Sequence, residues 1–471
     1  MVDFALISND PTIRAIVQEN TLERTFHDAL FPKLMFREEC APQKWPEGVG
    51  DTQIFSAVGL IQPNMEPLRP GEEPTPETYP MEQWSATLHQ YAGTIDSNMV
   101  NSMQALANLF LRNSQQLGMQ AAQSLNRKVR DQMYNAAESG WTVADGAQAA
   151  VTTLRVKRLN GFTRARNPAL ANASQVRFDL VSSSNPLSIE VFDTAGPAFV
   201  TRNVIAFTAD TDGDEVGPGT ITLSGGAVTV LDRAAVRSVD RTHVIRVGGG
   251  EKVDDIGAGD VPTFQNVRDA VARFWEQNVP AHGDGRFHAH FDPVSQSKMF
   301  SDIEFQRLIT GVPDYVAYKE FALGEMLNTV FFRNSECPIP QTVRGGATAS
   351  WDIRDPFAGE LFNTGASTGV RLHRMLFTAA GAIMEHYSDL GALMTEAGIT
   401  GKVGVGDPRI TNNGIDIMSD RIQMIIRAPL NRLQDKVSTS WKFIGDWPVR
   451  TDASSGDSAR YKRFLTVIHG E

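Results

Sequence analysis

Gly283-Asp-Gly-Arg-Phe-His-Ala-His-Phe-Asp-Pro293 is the stretch whose reading decides the fold. Gly283 to Gly285 carries turn chemistry, and Arg286 to Phe291 reads as a strand with Phe287, Ala289 and Phe291 toward a core. That alternation places His288, His290 and Asp292 on the water side. Asp292-Pro293 closes the strand, and a helical segment over Val294 to Thr310 follows. Gly311-Val-Pro-Asp314 interrupts, and a second helical run ends at Phe321-Ala-Leu-Gly-Glu325. Asn328-Thr-Val-Phe-Phe-Arg333 is again strand-like, with Asn334-Ser335 behind it.

Working outward, the 471 residues suffice for two or three domain cores. The formal charge of −11 argues against a surface devoted to nucleic-acid phosphates, which needs clustered Lys and Arg. Cys40 and Cys337 are the two cysteines, in no metal spacing and too few for a disulfide framework, so a reducing compartment is expected. Asp10, Arg14, Glu19 and Arg24 interrupt any signal-peptide pattern, and no apolar run approaches a membrane span. A soluble cytoplasmic product is therefore expected.

Upstream, Thr12 to Ala29 is weakly helical and leads through Leu30-Phe31-Pro32 into an extended arm, residues 1–50. Residues 51–95 form a long hairpin. Asp51 to Gln62 and Met81 to Thr94 are its strands, and six prolines between 63 and 80 exclude helix or central strand from its tip. Such a hairpin is marginal alone and should lie on something else. Ser97 to Ala137 carries the longest helical periodicity, within a segment spanning 96–149, with a kink expected at Arg112 to Gly118. Residues 150–260 are turn-punctuated, β-branched strands and read as a small antiparallel insertion. A helix starting at Pro262-Thr263 opens the segment 261–412, in which Arg371 to Ala397 also has helix spacing. Residues 413–471 return to strands, including Ile422 to Ile426, Val437 to Phe443 and Phe464 to His469.

This order of elements resembles major capsid proteins of tailed bacteriophages, which share the Hong Kong ninety-seven-like fold. The stretch from Gly283 to Pro338 looks closest to the coliphage-N-four-type branch. It departs from that branch in having Met326-Leu327 where a second glycine is usual. The resemblance implies an α+β chain: an N-terminal arm (1–50), an extended hairpin loop (51–95), and a peripheral domain with a long spine helix (96–149). A β-rich insertion (150–260), an axial domain (261–412) and C-terminal strands returning to the peripheral domain (413–471) complete it. It further implies self-assembly, as hexamers and pentamers, into the icosahedral head shell that encloses phage DNA. The location implied is the virion capsid, assembled in the host bacterial cytoplasm. Expected partners are further copies of the chain, a portal protein and a decoration protein. No membrane and no sequence-specific nucleic-acid binding is expected, and the hairpin would lie across a neighbouring subunit. Because arm and hairpin begin within the first 50 residues, a separate scaffolding protein is expected in place of a long N-terminal scaffolding extension. No lysine occurs between Lys44 and Lys128, so the lysine–asparagine isopeptide link of the phage that names the fold is not expected here.

Competing readings rest on short motifs. His288-Ala-His290 has the H-x-H shape of a zinc-dependent hydrolase, but the eightfold βα alternation that usually carries it is missing. Gly365-Ala-Ser367-Thr-Gly369 matches a nucleophile elbow whose base would be His386 or His469, yet a loop-like segment precedes it. Asp210-Thr-Asp-Gly-Asp214 resembles a calcium loop with its glycine misplaced and no flanking helices. Val247-Gly-Gly-Gly-Glu-Lys252 lacks phosphate-loop spacing. The expectation is no enzyme, with no catalytic, cofactor-binding or metal residues and no cofactor. A tail or portal component is the other structural alternative.

Overall fold

A computed structural model describes residues 35–46, 50–58, 67, 69, 71, 73, 81–98, 106–137, 140–166, 178–196, 198–211, 217–232, 234–239, 244–248, 256–304, 325–334, 337, 361–363, 369–388, 409–411, 414–419, 421–427, 436–449 and 463–470. The expected helix at 12–29 and the arm through Leu34 lie outside these residues, as do the end of the helix expected over Val294 to Thr310 and the second helical run up to Gly324, whereas Glu325 is in a strand. Most of the proline-rich tip, the loop 364–368, and residues 212–216 and 249–255 also lie outside them. The described chain is mixed α and β, rich in strands with few helices, and divides into two compact units.

The first unit takes Met1–Gln53, Ser85–Arg130 and Ile383–Pro448. Its sheet runs Ala41–Lys44, Met384–Tyr387, Lys436–Asp446, Ile422–Arg427, Gly414–Ser419, Arg409–Thr411, and His89–Asn98 also pairs with Lys436–Asp446. Helix α1, Leu106–Ala137, is continuous where a kink was expected. Asn113 and Ser114 are buried, and Ser114 donates its hydroxyl to Met424 Sδ at 3.5 Å. Packing thus overrides the weak helix propensity of that segment. Leu117, Ala121, Leu125 and Val129 repeat every four residues and are all buried, which is the apolar stripe of a helix lying on a sheet. Trp441 reaches across to Gln120 Oε1 at 3.3 Å. Its register partner is Gly93, where a Cβ would stand 2.5 Å from Trp441 Nε1 and 2.6 Å from Gln120 Oε1. The helix expected to begin at Ser97 is described from Leu106, and Ser97 and Asn98 pair as strand instead.

The second unit takes Ile54–Trp84, Asp131–Ala382 and Val449–Glu471. One of its sheets runs Val244–Arg246, Phe464–Gly470, Gly369–Thr378, Phe287–Phe291, Thr329–Arg333, Glu325–Met326. Helix α2, Phe264–Glu276, buries Phe264, Val267, Val271 and Phe274 against it, and Phe274 stacks on Phe287 with centroids 4.9 Å apart. Helix α3, Pro293–Phe300, follows the quoted strand directly. Asp292 caps it by accepting the Ser295 N–H, and Pro293 occupies the first turn.

Two expectations are corrected by this sheet. Gly369–Thr378 is a strand, not the start of a helix. Every side chain from His373 to Ala379 is buried, so both faces are covered and the alternation that marks a strand is lost. Phe464–Gly470 pairs with Gly369–Thr378 and so does not join Lys436–Asp446 as a strand returning to the sheet beside α1. The insertion forms its own antiparallel sheet, Trp141–Val143, Ala235–Ser238, Leu187–Asp193, Ala198–Ala209, Gly219–Ser224, Thr153–Val156, over a separate core. Its first strand precedes residue 150. Val244–Arg246, expected inside the insertion, instead pairs with Phe464–Gly470.

Candidate functional site

Thr52–Val58 and Met81–Thr87 pair with each other as a two-stranded sheet and with no other described strand. The base is closed by Leu88 N–H to Asp51 O at 2.8 Å and by the Thr52 and Thr87 hydroxyls at 3.2 Å. Ile54 is 67% exposed. Near its base Ala86 is buried and the Thr87 N–H donates to Asp446 Oδ2 at 3.1 Å, so among its described residues Ile54 is the large apolar side chain left in water.

The His-rich strand is placed differently from the sequence expectation. Phe287, Ala289 and Phe291 face the core as read, but His290 and Asp292 are buried as well. His290 stacks on Phe332 with centroids 5.4 Å apart. His288 is half-buried, bonded through Nε2 to Asp284 at 3.2 Å and stacked on His282 at 3.9 Å. The Phe332 ring also lies against His288, at 5.0 Å, so one aromatic side chain packs on both imidazoles that the hydrolase reading would aim at a shared ion.

The structure brings together a set that sequence reading missed. Asp292 accepts His373 Nδ1–H at 2.8 Å and the Ser295 hydroxyl, and Ser295 Oγ lies 2.7 Å from His469 Nε2. All four residues are at most 2% exposed. His373 and His469 are register partners on adjacent strands, and their rings stack at 5.4 Å. The composition is that of a Ser-His-Asp triad, but the wiring is not. A triad needs the carboxylate on the imidazole that takes the serine proton. Here the serine proton goes to the carboxylate and the carboxylate holds the other histidine. The serine is sealed from any substrate. This is a buried polar network that caps α3 and ties three strands together. Burial sends the His469 imidazole down to about 4, and hydrogen bonds hold the Asp292 carboxyl below its ordinary range despite burial.

Other candidates resolve simply. His386 is buried with its ring edge toward Trp45, centroids 6.0 Å apart, and burial lowers it to about 4. Both carboxylate oxygens of Asp210 face Arg155, at 3.3 and 2.6 Å, and Asp145 binds the same guanidinium at 2.9 Å. The first residue of the supposed calcium loop is thus engaged by a cation of the chain itself. Cys40 and Cys337 are buried and form no disulfide, and burial pushes the Cys40 thiol up. Glu385 is enclosed by Arg37, which donates from Nη2 at 2.6 Å and Nε at 3.0 Å, and by Arg421 Nη1 at 3.2 Å. No described helix is long and apolar enough to cross a membrane.

The chain matches no family model and no curated protein. Among solved structures it is similar to the capsid of Ralstonia phage GP4, with TM-score 0.45 and 11% identity over 92% of this chain and 90% of that one. The cyanophage Pam1 capsid asymmetric unit gives TM-score 0.47 and 9% identity over 94% and 92%. The cyanophage P-SCSP1u capsid gives 0.45 and 10% over 92% and 86%. Likeness of this degree decides neither fold nor role.

Proposed function

We propose that the chain is a major capsid protein of a tailed phage, a structural subunit and not a catalyst. Copies assemble as hexamers and pentamers into the icosahedral head shell. The observation that carries this reading is the hairpin: a ribbon that pairs with no other described strand and holds Ile54 in water, leading through His89–Asn98 into the sheet that packs on α1. Among the described residues, hairpin, long helix and a later sheet that includes the quoted strand come in the order that the resemblance implies. A neighbouring copy then covers Ile54, and closed symmetry covers every such hairpin in turn. Obligate interfaces of this kind are large and apolar. The finer assignment, to the coliphage-N-four-type branch with a separate scaffolding protein, a portal and a decoration protein, rests on the sequence resemblance. So do assembly in the bacterial cytoplasm and residence in the virion capsid.

Sedimentation velocity tests the role of the hairpin. The full chain should form fast-sedimenting assemblies, and Ile54→Asp should leave slow subunits with unchanged circular dichroism. Assemblies of equal size and amount from the variant would remove the hairpin from the interface.

A further inference from the structure

We infer that the cluster Asp292, Ser295, His373 and His469 is an acid-sensitive latch, which clasps the strand Phe464–Gly470 in its sheet and releases it when a second proton enters. The geometry sets the charge count. His373, Met375 and Phe377 form the core-facing row of one strand, and Leu465, Val467 and His469 that of its neighbour, in register. The apolar row therefore ends in two stacked imidazoles at the N-terminus of α3. A single carboxylate, Asp292, meets them, so the site balances one imidazolium and no more.

The hydrogen-bond order fixes where the second proton goes. The Ser295 hydroxyl is committed to Asp292, so the 2.7 Å contact requires His469 Nε2 to carry a hydrogen and donate it to Oγ. A further proton enters at Nδ1, which lies 3.2 Å from the Gly470 carbonyl. That bond favours the charged ring, but desolvation and the His373 and Lys298 charges oppose it, and Asp292 offsets them in part.

The groups that face His469 come from every neighbouring element. Asp292 ends the strand Phe287–Phe291, α3 supplies Ser295 and Lys298, and the adjacent strand supplies His373. Asp260 accepts the Gly470 N–H with its backbone carbonyl, while its carboxylate is turned to Gly257 N–H at 2.7 Å. Arg246 sits on the far neighbouring strand, paired with Ile468, and α2 presents its apolar row. The only carboxylate hydrogen-bonded into the cluster, among the described residues, is that of Asp292.

The sign follows. A histidine held neutral by the fold contributes fully above its ordinary value of 6.5, and that contribution is lost as pH falls toward 4. Across that window the latch should weaken on the order of a hundredfold. The strand it holds is central in its sheet, flanked by Val244–Arg246 and Gly369–Thr378, so its release exposes two further strand edges.

Hydrogen-exchange mass spectrometry of the full chain between pH 7 and 3.5 tests this, with rates corrected for intrinsic pH dependence. Peptides over 464–470 and 369–378 should lose protection together between pH 6.5 and 4, ahead of those over 187–224. His469→Gln keeps an N–H donor for Ser295 but cannot be protonated, so protection should persist about two pH units lower. Should that variant fail to fold, deuterium uptake at the imidazole C2 position of the unaltered chain reads the His469 titration directly. Loss of protection that does not track it, or identical acid profiles in the two proteins, would overturn the latch.

Discussion

Glu385 shows how much one side chain decides. It and Arg37 are both almost wholly buried, at 1% and 2% exposure, and Arg37 also lies over the Phe443 ring at 5.3 Å. This ion pair fastens the segment before Ala41–Lys44 to the strand Met384–Tyr387. Glu385→Gln would leave a guanidinium in the core without its counter-charge, which costs about 3–5 kcal/mol. Urea unfolding followed by tryptophan fluorescence should show a midpoint lowered accordingly, and a change below ~1 kcal/mol would mean that water reaches Arg37. Nothing in the sequence pointed to this pair, because its members stand 348 residues apart. The same holds for His373 and His469. The sequence drew attention to His288 and His290 because they are neighbours in the chain, whereas long-range strand register decides which imidazoles meet. Asp292 was noticed as the end of a strand, but its engagement of two histidine-bearing elements depends on that register.

At the scale of elements, legibility followed how one-sided each element's environment is. Helix α1 and α2 each expose a polar face, so their periodicity survives in the sequence. Gly369–Thr378 does not: the side chains from His373 to Thr378 are buried on both faces, so no polar alternation marks the strand and its apolar residues imitate helix spacing. The turn at Leu327-Asn328 was hidden for another reason. Both residues adopt positive φ, 50° and 59°, without the glycine that usually announces it. Close packing leaves its own signal in Gly93, the position at which α1 and the sheet allow no side chain. Gly93→Ala forces a methyl against Trp441 and Gln120. That should destabilise by about 1–3 kcal/mol, seen as a lower thermal midpoint. An unchanged midpoint would show that α1 can lift from the sheet freely.

For the whole molecule, the proposed role is assembly. Asp292, Ser295, His373 and His469 are consumed in an internal network, and the hairpin holds Ile54 in water. Its residues 51 to 94 contain no lysine, and Arg69 is not a competent amine nucleophile because a guanidinium stays protonated. Contacts between copies should accordingly be non-covalent. Assembled particles boiled in detergent should run as one band near 51.6 kDa, and a ladder of higher bands would reveal covalent links. The central claim is that many copies of this chain close into a shell. Negative-stain electron microscopy of the purified protein tests it most directly. Closed particles or capsomer rings, reached above a threshold concentration, are the result this account predicts; a compact monomer at every concentration, retaining bound zinc, would contradict it.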